Sequence, residues 1–144
     1  MTTALHLDTI ERLLTRAFPD TGASPPHTWG GPGYHLAELG VRRPFEEEDP
    51  AVEAQWAKQV SAEYDALTEA LTVRWGAPEW FSLTSVLMRS TEEEIPEPWF
   101  TLCGVTRDVH LWRAGSRWLA VCAAQWALGQ PEVLLASVTV VDPP

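Results

Sequence analysis

The chain has 144 residues, 45% hydrophobic and 21% charged, which are the proportions of a globular protein and not of a disordered one. Its formal net charge of −10 repels nucleic-acid phosphates and anionic lipid, so no nucleic-acid and no membrane partner is expected. The length predicts a single domain over residues 1–144 that buries enough surface to need no disulfide or metal.

The charge is uneven. Residues 1–98 hold 17 acids and 7 bases (a balance of −10), whereas residues 99–144 hold three of each. The acidic part reads as mostly helical and the neutral part as a β-meander. The first residues, MTTALHLDTIERLL, have neither the basic start nor the apolar run of a signal peptide. No stretch approaches the roughly 18 apolar residues of a membrane span. A cytoplasmic location is the expectation.

A first helix is expected from about Asp8 to Phe18. Asp8 and Glu11 form a capping-box pattern, Ile10, Leu13, Leu14, Ala17 and Phe18 supply the apolar stripe, and Pro19 ends it. Residues 19–49 are rich in Gly and Pro and read as irregular, with Tyr34 to Leu39 forming a helical turn or a short strand. A second helix is marked by Asp49 as cap, Pro50 in the first turn and Gly76 after the end. Val52, Trp56, Val60, Tyr64, Leu67, Leu71 and Trp75 lie on one face of it.

Five strands follow in this reading: Trp80 to Leu87, Trp99 to Val105, Val109 to Arg113, Arg117 to Leu128 and Glu132 to Val141. Arg113-Ala114-Gly115 reads as a three-residue hairpin loop with Gly115 left-handed, pairing Trp112 with Ser116. On the fourth strand Ala120, Cys122 and Ala124 form a row of small side chains between Trp118 and Trp126, and the second helix is expected to lie over that row. The fold class is thus α+β, two helices packed on one face of a four- to five-stranded antiparallel β-meander.

No stretch matches a catalytic or metal motif, so no cofactor and no metal are expected. His27 and His35 lack further ligands at a zinc spacing. Trp29-Gly-Gly-Pro-Gly33 lacks the Lys-Ser/Thr of a phosphate loop and reads as a tight turn. In the expected register Cys103 and Cys122 lie roughly 16 Å apart at about 3.3 Å per residue, beyond the about 7 Å of a disulfide, so both are read as free and buried. That register sets His110 between Gly104 and Trp118, with Cys103 on the other face. A pocket lined by Trp29, Tyr34, His110, Trp112 and Trp118 is one functional reading, with His110 as its base; a packed histidine is the plainer one.

The acidic runs Glu46, Glu47, Glu48 and Glu92, Glu93, Glu94 with Glu97 have no calcium-loop spacing. They read as solvated faces or as a surface for a basic protein partner. In being small, acidic and without catalytic residues, the chain resembles bacterial immunity and antitoxin proteins in general character, without sharing a motif with them. The expected function is therefore a non-enzymatic binding module, with a toxin among the candidate partners. Alternatives are a ligand-binding protein or weak enzyme using the pocket near His110, and a structural homodimer that buries a spare apolar sheet face.

Overall fold

A computed structural model describes residues 2–20, 28–39, 50–127 and 129–144. Among them are four helices and six strands in the order α1 (Thr2–Thr15), β1 (Thr28–Gly31), β2 (Tyr34–Leu39), α2 (Pro50–Trp75), β3 (Glu79–Ser82), α3 (Thr84–Arg89), α4 (Trp99–Val105), β4 (Asp108–Ala114), β5 (Arg117–Ala124) and β6 (Val133–Thr139). The class is α+β. The strands make one open antiparallel sheet in the order β1-β2-β6-β5-β4-β3.

The expected meander is present in part, as β4, β5 and β6, and β3 joins its edge from before two short helices. The stretch read as irregular adds a hairpin, β1 and β2, with Gly31 pairing Tyr34 across a Pro32-Gly33 turn. That hairpin closes onto the last strand through β2 and β6, from Tyr34↔Thr139 to Leu39↔Leu134. Alternation explains the fit: Leu36 and Tyr34 face one side of the sheet while His35, Ala37 and Leu39 face the other.

Two expected strands fail, and the reasons are local. Trp99–Val105 is helix α4, not a strand, because Trp99, Leu102 and Cys103 bury one face at the i, i+3, i+4 spacing of a helix. The β-favouring Trp, Phe and Val side chains hide that period in the sequence. The segment read as one strand from Trp80 is instead β3 followed by α3, whose Val86 is buried. Helix α1 begins at Thr2, so Asp8 is no cap; it pairs with Arg12 one turn on, at 2.6 Å. Helix α1 stops at Thr15, before Ala17 and Phe18, as Pro19 disfavours helix at the residue before it.

The β4–β5 register also differs. Ala114 pairs with Arg117 and Trp112 with Leu119, so the connection is the two-residue Gly115-Ser116. Gly115 has φ +65° at the first turn position, where a type II′ hairpin requires glycine. Each β4 residue is therefore opposite a β5 residue three later than expected, and an odd shift exchanges the two faces.

Helices lie on both faces of the sheet, not on one. On the front face α1 and α2 bury Ile10, Leu13, Leu67 and Leu71 against Trp112, Leu119, Val121, Ala136 and Val138. On the back face Val86, Trp99, Leu102 and Cys103 of α3 and α4 pack with Ala120, Cys122, Ala124 and Leu135. The row of small residues thus receives the short helices. Helix α2 lies over the opposite face, so both faces of the sheet carry helices.

Candidate functional site

The five residues expected to line one pocket are divided by the sheet. His110 and Trp112 project to the front; Trp29, Tyr34 and Trp118 project to the back. The register shift accounts for Trp118, which it moves from beside His110 to beside Arg113, whose guanidinium lies 4.7 Å from the indole centroid.

His110 sits between Val121 on β5 and Trp80 on β3. The Tyr64 hydroxyl lies 2.6 Å from its Nδ1 and donates to the Val121 carbonyl at 2.8 Å. A hydroxyl has one proton to give, so His110 Nδ1–H must be the donor to Tyr64. Trp80 and Tyr64 meet the imidazole edge-on at 5.3 and 5.2 Å, and Trp112 stacks at 6.2 Å. Burial pushes the Tyr64 phenol well above its usual range. This cluster joins α2 to the sheet and packs His110 among Tyr64, Trp80 and Trp112, not between Gly104 and Trp118.

Neither cysteine is primed for nucleophilic work. Both are free and buried in the back-face core. Burial raises the Cys122 thiol to about 12, and burial with the charge of Glu97 raises Cys103. A thiol needs the opposite shift to attack at neutral pH. Cys103 is on a helix, so the separation inferred from strand spacing does not apply to it. Among the described residues no group of three or more His, Cys, Asp or Glu is placed to hold a metal. His27 lies outside the described residues, and His35 is packed, its Nε2 3.3 Å from the Arg16 carbonyl.

The back of the molecule is more open. A groove of about 580 Å³ runs between α3, α4 and the end of β5, with Thr84, Leu87, Cys103, Arg107, Gln125 and Trp126 on its walls. Trp126 is set by two contacts: its indole N–H donates to Glu38 at 3.0 Å, and its ring lies 5.4 Å from Trp29. Gln125 and Glu132 also line a smaller hollow of about 210 Å³, walled on its other side by Glu53 and Trp56 of α2. The Trp56 indole N–H reaches across to the Glu132 carbonyl at 2.7 Å.

Helices α3 and α4 expose Leu87 (50%) at the groove, and Met88 (73%) and Phe100 (53%) beside it. Phe100 is one helical turn before Gly104 of the groove, on the same side of α4. The turn leaving α3 carries Glu92, Glu93 and Glu94, all exposed; Glu93 is 3.5 Å from Arg89. Glu97 is different, half-buried and accepting a 2.6 Å bond from Thr101 one turn into α4. Glu46, Glu47 and Glu48 lie outside the described residues. Sequence reading missed the apolar group because Phe100 was placed in a strand and Leu87 at the end of another.

No protein family, no curated protein and no solved structure matches this chain. No helix among the described residues is long and apolar enough to cross a membrane.

Proposed function

We propose that this protein is a non-catalytic binding module that engages a basic, partly apolar protein segment on its back surface. One observation carries the reading. Large apolar side chains at Leu87, Met88 and Phe100 are exposed on two short helices joined by an acidic turn. An exposed apolar group rimmed by charge is a common mark of a protein-contact surface. The rim sets the sign of the partner: Glu92, Glu93 and Glu94 on this turn, with Glu132 at the groove, in a chain of net charge −10. Charge of one sign speeds encounter with its opposite, while the apolar centre supplies the binding energy. A toxin neutralised by an acidic partner is one case of this chemistry, and it is the one favoured by the general character of the sequence.

The test uses a synthetic amphipathic peptide with arginines on one face and leucines on the other, titrated into isotope-labelled protein. Shift changes should cluster on α3, the acidic turn and α4, and Met88→Asp should remove them. Affinity should fall at least tenfold between 50 and 300 mM salt, as exposed charges are screened beyond about 8 Å at physiological ionic strength. Shift changes spread evenly over the surface, or clustered elsewhere and indifferent to Met88→Asp, would sink the proposal.

A further inference from the structure

Two of the chain's four histidines are buried around one helix. His6 belongs to α1 itself and is 3% exposed; its Nε2 has no hydrogen-bond partner and lies 3.8 Å from Glu63 of α2. His35 on β2 is 2% exposed and meets the other end of the helix, with Nε2 at the carbonyl of Arg16 and its ring 4.8 Å from Phe18. Gly30, opposite it on β1, makes the room: a Cβ there would collide with the Tyr34 carbonyl and crowd His35 Nδ1 at 3.3 Å.

The charged surroundings do not welcome a second proton at His35. Arg117 of β5 donates to the carbonyls of Leu13 and Arg16 at 2.8 and 2.7 Å and lies over Phe18 at 4.1 Å. The strand residues facing α1 from β2 and β6, Ala37, Leu39, Ala136 and Val138, carry no charge. Across α2 the nearest groups are Glu63 at His6 and Arg74, which is paired with Glu11. Asp8 and Arg12 pair with each other on the exposed side of α1.

We propose that α1 is an acid-releasable element: taking up protons at His6 and His35 undocks it from the sheet and uncovers the apolar seat around Leu39, Leu67 and Val138. Burial holds both imidazoles below the ordinary histidine value of 6.5. Glu63 opposes the effect at His6, and the charges of Arg16 and Arg117 reinforce it at His35, where the Arg16 carbonyl opposes it. A base with a lowered value in the docked state binds more protons when released. Docking is therefore complete above 6.5 and weakens as the pH falls below it. At pH 5 a free histidine of ordinary pKa favours release by a factor of about 30, which sets a ceiling of about 1,000 for the two together.

The experiment is hydrogen exchange followed by mass spectrometry on the full chain at pH 7.5 and 5.0, corrected for intrinsic chemistry. Peptides from residues 2–15 should open at least tenfold more at pH 5.0, while peptides from residues 117–124 keep their protection. His6→Leu fills the same seat without a titrating group and should cut the pH effect on α1 at least threefold. His35→Gln, which keeps a donor for the Arg16 carbonyl, should do the same independently. The proposal is overturned if α1 and β5 lose protection together, if α1 is indifferent to pH, or if the pH effect survives unchanged in His6→Leu.

Discussion

The two faces of the sheet are covered in contrasting ways. The front carries helices of 14 and 26 residues, and its β5 row presents Leu119 and Val121. The back carries helices of six and seven residues over Ala120, Cys122 and Ala124, with indoles filling the margins. Small side chains admit helices closely, but a helix of two turns cannot reach across a six-stranded sheet. Both pairs of helices expose apolar side chains, Leu5, Val52 and Val73 on the long ones and Leu87, Met88 and Phe100 on the short ones, while the short ones also leave a groove at the end of β5.

That contrast can be broken most directly by removing volume. Leu67→Ala on the front should cost about 3–5 kcal/mol, since Leu67 is fully buried between Val60 and Leu71, which anchor the middle of a 26-residue helix and keep it from closing the cavity. Leu102→Ala on the back should cost about 2–3 kcal/mol, because a seven-residue helix can settle into the space. Urea unfolding of the two variants measures the difference; a larger loss for Leu102→Ala would reverse the assignment of rigid and yielding faces.

Adding volume gives the next largest effect. Ala124→Leu should overpack the seat of α3 and α4 and cost about 1–3 kcal/mol. The shift changes should fall on α4 and leave α2 undisturbed. Disturbance along α2 instead would restore the packing expected from the sequence alone.

At the front, His110→Ala should cost about 1–2 kcal/mol, by emptying part of the cluster with Trp80 and Trp112 and leaving Tyr64 with only the Val121 carbonyl. Thermal unfolding is the measurement, and a variant as stable as the parent would show that the cluster does not fasten α2. The smallest effect belongs to the open side. Changing Glu92, Glu93 and Glu94 to Gln should move stability by no more than about 0.5 kcal/mol while slowing association with the basic peptide.

Much of this architecture was legible. Helix α2 spans Pro50–Trp75 as its Pro and Gly signals predict, and β4, β5 and β6 fall within two residues of their expected starts. The misplaced register of β4 and β5 has a local origin. A loop of three residues and a loop of two both place Gly115 at a positive φ, and nothing within Arg113 to Ser116 chooses between them. The three-residue loop puts His110 beside Trp118, whereas the observed register sets it beside Val121; the expected placing of α2 over Ala120, Cys122 and Ala124 rests separately on their small size. The short helices were obscured for another reason, because Trp, Phe, Val and Cys favour strands intrinsically and six or seven residues give the helical period little room to declare itself. His6 and His35 drew no attention as a pair, since only the folded chain brings residues on α1 and β2 against one another.

The pairing of β2 with β6 has a consequence in time. Every residue of β6 is buried, and its two neighbours come from opposite ends of the chain. During synthesis the β1–β2 hairpin precedes the strand it must join by the whole of α2, β3, α3, α4, β4 and β5. Until β6 arrives, Leu36, Ala37 and Leu39 have no sheet to enter. Closing so long a loop makes this contact the slow one, so the N-terminal hairpin should be the last part of the molecule to acquire its structure.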